Sequence, residues 1–464
     1  MNRLLRCSLA AGAAALLLAG CRITVPDRPA SALEVPVAWR APLQVGPNAA
    51  VEQGWWRAFG DPALDALVTQ ALARNGDLRT ARSRLQEYQA RVQVARAAQE
   101  PSLSASLGPT RARSIGPLGT PIESTAITGN VQAAYEFDPF GRLEAATQAA
   151  RFDLAAQQAA ADAVALSVAA NTASGYLNLR GLDAQLALAR QTLASREQSL
   201  ALARRQFEVG YSSRLELSQA EAEYRNTAAV VPQLERAITQ QENALNLLAG
   251  ANPGPVARGA ELTALRPPGI APGLPSELLR RRPDIAQAER SIAAADASLA
   301  AARDQMLPSL RLTGSVGGYA HNLPDLLGSG TLLWSVGGSV LAPIFDAGRL
   351  RAQAEISASL RDRAVFAYET VVRNAFAETE NGLSSVQRLR EQLAQAEARR
   401  TATAEVLRIA HNRYRNGYSS YLEELDAQRN AFSAETSALQ LRASWLQAHV
   451  DLYRALGGGW NVAP

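Results

Sequence analysis

Apolar residues near the start of the mature chain recur every seven positions. Leu64, Ala71, Leu78, Leu85 and Val92 form one row, with Ala81, Tyr88 and Ala95 three places after its later members. That spacing predicts a helical coiled-coil seam, narrower than an ordinary amphipathic stripe. Pro101 ends it, because proline has no amide hydrogen for a helix interior. The period then falls to two. Between Ile127 and Asp138, Ile127, Val131, Ala133, Tyr135 and Phe137 point one way, and Thr128, Asn130, Gln132, Glu136 and Asp138 the other. Leu310, Leu312 and Val316 alternate likewise with Arg311, Thr313 and Ser315. Trp334, Val336, Val340 and Ile344 alternate with Ser335, Gly337, Ser339 and Leu341. Alternation over about ten residues is the pattern of a membrane barrel strand, apolar to lipid and polar to the lumen. A soluble two-sided sheet reads similarly. Tyr135, Tyr319 and Trp334 are candidates for an interfacial girdle or for ordinary sheet packing.

A long Ala-rich helical run follows, from Arg142 to about Glu208, with Leu179, Leu186, Leu193, Leu200 and Phe207 in heptad spacing. At 1.5 Å per residue such a run extends on the order of 100 Å, a length without use in a compact globule. Gly210 reverses the chain, and Leu217, Tyr224, Val231, Ile238 and Leu245 make the returning seam.

The same order appears twice. Pro101-Ser102-Leu103 recurs as Pro308-Ser309-Leu310, Asp77 as Asp284 and Gly141-Arg142-Leu143 as Gly348-Arg349-Leu350, each 207 positions on. Gly210-Tyr211-Ser212-Ser213 recurs as Gly417-Tyr418-Ser419-Ser420 at the same offset. Beyond that turn Leu217 aligns with Leu425 and Gly250 with Gly458, an offset of 208. The second long helix keeps Val386, Leu393, Leu407 and Tyr414, and the second returning seam is Leu425, Phe432, Leu439, Leu446 and Tyr453. The expected organisation is a signal peptide (1–20), an N-terminal segment (21–61), a first repeat (62–249), a Pro/Gly-rich linker (250–275), a second repeat (276–458) and a tail (459–464).

Four strands per chain are too few for a closed membrane barrel, which needs about eight. An open sheet edge in lipid leaves backbone groups unpaired at several kcal/mol each. Copies of the chain are therefore expected to share one barrel, related by cyclic symmetry. Strand counting does not set their number.

Arg3 and Arg6 precede an apolar stretch, Leu9 to Ala19, too short to span a bilayer, and it ends in Leu18-Ala19-Gly20-Cys21. This reads as a lipobox in which Cys21 carries an N-acyl chain and an S-diacylglycerol. Arg22 beside it favours delivery to the outer membrane. Cys7 leaves with the signal, so Cys21 is the mature chain's one cysteine and no disulfide is expected within a copy. All 47 basic residues are Arg; the formal charge of +4, less Arg3 and Arg6, is +2. Near-neutrality without a basic cluster argues against nucleic acid as a partner. His321, His411 and His449 lie far apart, and no nucleophile, phosphate-loop or dinucleotide motif appears. Neither an enzyme nor a resident cofactor or metal is expected.

The lipobox, the repeat, the two Gly-Tyr-Ser-Ser turns, Tyr421-Leu422-Glu423-Glu424-Leu425-Asp426-Ala427-Gln428-Arg429 and the terminal Ala455-Leu456-Gly457-Gly458-Gly459-Trp460 resemble a TolC-like outer-membrane efflux factor. The resemblance is to the lipoprotein branch (OprM and NodT-like) serving tripartite pumps of the resistance-nodulation-division (RND) type. It implies a mixed α and β fold, four membrane strands per chain in a trimeric twelve-stranded β-barrel, above long antiparallel helices forming a periplasmic helical barrel. It also implies a homotrimer, a periplasmic adaptor (membrane fusion protein) and an inner-membrane RND pump as partners. In this family the closed state is held at the periplasmic tips. Carried over by motif, Glu423 and Asp426 take its acidic, lumen-facing positions, with Arg429 and Tyr414 as contacts broken on opening. A ring of Asp426 carboxylates would favour cations; a solvated face with an Asp426–Arg429 i,i+3 pair is the simpler reading. The turns Val209, Gly210, Tyr211, Ser212 and Gly417, Tyr418, Ser419 are the expected adaptor contacts. A duct for type I protein secretion, and a coiled-coil lipoprotein scaffold without a channel, remain alternatives.

Overall fold

The computed structural model describes residues 27–30, 32–41, 54–267, 269–270, 273–328 and 332–459. The signal segment, Cys21 and the residues from Trp460 onward lie outside the described residues. The elements follow the same order twice. The first half holds α1 (Pro62–Arg74), α2 (Gly76–Ala97), β1 (Ser102–Ile115), β2 (Pro121–Phe137), α3 (Arg142–Glu208) and α4 (Arg214–Leu248). The second holds α5 (Pro275–Arg281), α6 (Pro283–Asp304), β3 (Ser309–Ala320), β4 (Leu332–Leu341), α7 (Arg349–Arg415) and α8 (Tyr421–Ala455).

Helices α3 and α7 have 67 residues each and α4 and α8 have 35, so both pairs begin and end 207 positions apart. Contacts keep that offset to the end of the repeat. Asn75 donates to the Leu248 carbonyl at 2.9 Å, and Arg282 to the Ala455 carbonyl at 3.0 Å. A Cβ on Gly250 would lie 2.4 Å from the Arg74 carbonyl oxygen, and one on Gly457 2.2 Å from that of Arg281. Gly457, not Gly458, is therefore the counterpart of Gly250, and the 208 register read from Leu217 and Leu425 is a local sequence coincidence. The first heptad row is also interrupted. Asn75 is extended and caps α2, its side chain accepting from the Leu78 amide, so one expected helix becomes α1 and α2. The row still faces inward, with Leu64, Ala71, Leu78 and Val92 all buried.

By contacts the chain divides into two compact units. One comprises 85–157 and 288–369 with the described residues up to 32; the other comprises 33–84, 158–287 and 370 onward. The first contains one antiparallel sheet in the order β1-β2-β3-β4. The expected alternation holds in its register. Ala105, Val131, Val316 and Trp334 form one row across the sheet, and Leu103, Ala133, Gly314 and Val336 the next on the same face. Ser104, Gln132, Ser315 and Ser335 form a row on the opposite face, where the two serine hydroxyls are 2.8 Å apart. Tyr135 and Trp334 share the apolar face, whereas Tyr319, paired with Thr128, is on the other. Strand β4 stops at Leu341, so Ile344 belongs to the following connection instead of the strand. In the same unit Asp27 and Arg28 lie against α7 and α6, through Arg361 and Asp296.

The second unit is helical. Its core gathers Trp55, Trp56 and Phe59 with Leu64, Val68, Tyr176, Leu177, Leu262, Leu446 and Tyr453. Asp61 caps α1 through the Ala63 and Leu64 amides, and also accepts from the Tyr176 hydroxyl (2.8 Å) and the Ala260 amide (3.0 Å). One buried carboxylate thus pins the inter-repeat linker to α1 and α3, and a buried charge is tolerable when so fully hydrogen-bonded. Burial and this bond to a carboxylate push the Tyr176 phenol up to about 12. Trp39 stacks edge-on against Phe376 of α7 in this unit.

Candidate functional site

Two regions carry chemistry that ordinary globular packing does not explain. The first is the apolar face of the sheet. Leu103, Leu107, Leu312, Val340 and Leu332 are exposed there, and Trp334 and Val336 keep 74% and 81% of their surface. Water-soluble proteins rarely leave so wide an apolar patch uncovered. Its outer margin is charged: Arg111 meets Glu123 at 3.1 Å where β1 and β2 approach their turn. Strands β1 and β4 are the sheet's edges, without a partner strand on their outer sides among the described residues.

The second region is the pair of helix tips in the helical unit. At the first, Gly210 has φ +78°, its amide donates to the Phe207 carbonyl and the Tyr211 amide to that of Gln206. At the second, Gly417 has φ +74°, its amide donates to Tyr414 and the Tyr418 amide to Arg413. Both are Schellman closures, which need a left-handed residue and so favour glycine. Val209, Tyr211 and Tyr418 stand exposed beyond these closures. Ser212 reaches the Ala203 carbonyl, while the Ser419 hydroxyl is buried without a protein partner among the described residues.

The gate candidates are brought near one another but not into the pairs expected. Arg429 does not turn to Asp426. Its Nε donates to Glu223 of α4 at 2.8 Å, and Asp426 instead accepts from Asn430 at 3.0 Å. Glu223 is nearly buried and Asp426 exposed, and a charge attracts more strongly where less water screens it. Glu423 pairs with Arg413 across the turn at 3.4 Å, both partners about half exposed. Among the described residues Tyr414 is not hydrogen-bonded to an arginine. Its hydroxyl donates to Gln206 of α3 at 3.0 Å and its ring lies 5.5 Å from that of Tyr421. Burial pushes the Tyr414 phenol up to about 12.

The buried charges of this region are others: Arg196, Glu223 and Glu424, each under a tenth exposed. Arg196 reaches Glu223 at 3.4 Å, and burial lowers its affinity for the proton. Glu424 accepts from His411 at 2.7 Å and Gln428 at 2.9 Å. The leucine heptad of α3 is only partly buried here; Ala189, Arg196 and Ala203, also seven apart, lie deepest. The small residues flanking Arg196 were the available signal, and the stronger leucine row masks it.

A sequence profile for outer membrane efflux proteins matches residues 67–251 and again 274–458. The chain belongs to that family. It is an outer-membrane efflux protein, hence a transporter and not an enzyme. Among relatives of this efflux protein, the antibiotic efflux pump outer membrane protein ArpC of Pseudomonas putida is 35% identical over 457 residues, 96% of this chain and 94% of that one. The cation efflux system protein CusC of Escherichia coli is 32% identical over 460 residues, 98% and 99% of the two chains. The crystal structure of the open state of the Neisseria gonorrhoeae MtrE outer membrane channel matches with a TM-score of 0.83 at 31% identity. It covers 94% of this efflux protein and 98% of that channel. The mixed fold of long helices and antiparallel strands is the fold of these channels.

Proposed function

We propose that three copies of the chain close a twelve-stranded barrel in the outer membrane and carry small molecules from a periplasmic adaptor and an inner-membrane RND pump to the exterior. The observation that carries this reading is the four-stranded sheet with an exposed apolar face and two open edges. From Ile127 to Phe137, strand β2 covers about 34 Å, which at a tilt near 40° rises about 25 Å, the height of a barrel's apolar band. Two copies would make eight strands, whose interior side chains fill; a third leaves a passage. Edge strand β4 of one copy then pairs with β1 of the next. The exposed apolar residues Ile356 and Leu360 of α7, and Val94 of α2, supply further contact between copies. The two repeats, 62–249 and 276–458, each supply two of one copy's four strands.

The lipobox ending in Cys21 supports the same location, with Cys21 as the residue that would carry the lipid. The tips with Tyr211 and Tyr418 are the docking points for the adaptor. Glu423, Asp426, Arg429 and Tyr414 belong to the closure that the adaptor and pump release.

Purified protein in a planar bilayer is expected to conduct, and cysteines placed on β1 and β4 to cross-link between copies. A protein that forms neither pores nor linked trimers would be a scaffold. Cys21→Ser is expected to lose lipid labelling while the barrel still assembles; persistent labelling would refute the anchor.

A further inference from the structure

The charged residues of the sheet are sorted by face and by height. The β1–β2 register runs unbroken from Ser102 to Ile115, so Arg111, Arg113 and Glu123 share the face of Leu103, Leu107 and Val131. Glu136 and Arg311, paired opposite each other, lie on the other face and at the other end. Among the described strands, the apolar face therefore carries charge only at its outer end. The apolar rows finish at Ile127 and its partner Pro109. Arg111 and Arg113 follow on the same face, about 7 and 14 Å further along the strand. At a tilt near 40° they stand about 5 and 10 Å above the apolar band. A headgroup layer roughly 5–8 Å deep occupies that height. We infer that Arg111 and Arg113 form a site for a phosphate of the outer leaflet's glycolipid, with Glu123 as the carboxylate it displaces.

Charge supports this ligand. Glu123 lies 3.1 Å from Arg111 and 4.0 Å from Arg113, so two guanidiniums and one carboxylate leave a net charge of +1. All three side chains are more than half exposed, and ion pairs so open to water give way to a stronger partner. The hairpin is braced at this level: His321 Nδ1 donates at 2.8 Å to the carbonyl of Thr125, the residue opposite Arg111. The glycolipid of an outer leaflet is an acylated glucosamine disaccharide bearing phosphate monoesters. A monoester carries about 1.5–2 negative charges, against one on a phospholipid's diester. Its oxygens also match the planar fork of arginine, which takes them in pairs. Strand β4 has no charged residue, and its outer end is Leu332 and Leu333, so the site belongs to the β1–β2 hairpin.

This inference rests on reading the apolar face as the lipid-facing side of a barrel, and its test separates the two. Full-length protein in detergent is titrated with fluorescent lipid A phosphorylated on both sugars, and its pores are followed in planar bilayers. The parent is expected to bind that lipid about tenfold more tightly than the same lipid without phosphates. Arg111→Gln combined with Arg113→Gln is expected to lose that tenfold preference. Arg111→Lys with Arg113→Lys keeps the charge without the fork and is expected to lose about threefold. Glu123→Gln removes the competing carboxylate and is expected to bind about threefold more tightly. A carboxylate that merely held the hairpin in shape would give weaker binding instead. Unchanged binding in the glutamine pair, or weaker binding in Glu123→Gln, would overturn the site. An equal loss of phosphatidylglycerol binding in the glutamine pair would overturn the choice of glycolipid. A parent that conducts without preferring the phosphorylated lipid would refute the site alone; one that forms no pores would refute the barrel beneath it.

Discussion

At the first tip Phe207 lies under the Arg214 guanidinium, 5.8 Å from its ring centre; at the second the equivalent residues are Tyr414 and Tyr421, ring beside ring. Ser213 caps α4 by accepting from the Glu216 amide, but Ser420, its counterpart, makes no capping bond, and Glu423 turns instead to Arg413. Leu217 of the first hairpin is replaced in the second by buried Glu424, and Arg204 by its partner His411. The glycine closures themselves are alike. A duplicated hairpin has therefore kept the geometry of its turn and changed what ties the turn down. Tyr414–Gln206 and Arg429–Glu223 join the two hairpins, while the serine cap is kept at the first tip alone. In the proposed closure the second tip, which lacks the serine cap of the first, is the one expected to move.

Substitutions can break this comparison, beginning with what the tips share. Gly210→Ala and Gly417→Ala meet no clash but force a left-handed alanine. Each is expected to destabilise its own tip by about 1–2 kcal/mol, read as faster local hydrogen exchange. A response at one tip alone would show that the closures are not equivalent. The caps should then separate the tips: Ser213→Ala is expected to lose about 1 kcal/mol, and Ser420→Ala close to nothing. Equal losses would mean that Ser420 caps in solution. Tyr414→Phe gives the second tip the first tip's residue. It should loosen the second tip toward the lower end of the roughly 0.5–1.5 kcal/mol of a hydrogen bond, because the ring is only part-buried. Phe207→Tyr should do little; matching effects would remove Tyr414 from the contrast.

The smallest difference is in alkaline pH. The Tyr414 phenol, normally near 10, is raised to about 12 because burial disfavours the phenolate. The folded state holds the proton more tightly, so this stabilisation is intact below pH 10 and disappears as pH rises through 12. The thermal midpoint should fall more steeply over that window in the parent than in Tyr414→Phe. Parallel curves would show that Tyr414 is not the group responsible.

Much of the fold was legible because period is a strong signal. The switch from seven to two at Pro101 located the sheet, and the Ala-rich run from Arg142 to about Glu208 located α3. Strand β1 was harder to read: Gly108, Pro109, Arg111 and Arg113 interrupt its pattern after Leu107, where the strand leaves the apolar band. The tip turns were plain from glycine and serine. The partners of the charged residues were not, because spacing along one helix places Arg429 near Asp426 and is silent about α4. Glu223 and Arg196 become visible only when two hairpins from different halves of the chain meet.

The open edges of the sheet have a consequence for inheritance. In the proposed trimer each copy's β4 is completed by another copy, so a defective edge is not confined to the chain that carries it. A proline in β4 would be expected to act dominantly, spoiling mixed assemblies in a cell that also makes the parental protein.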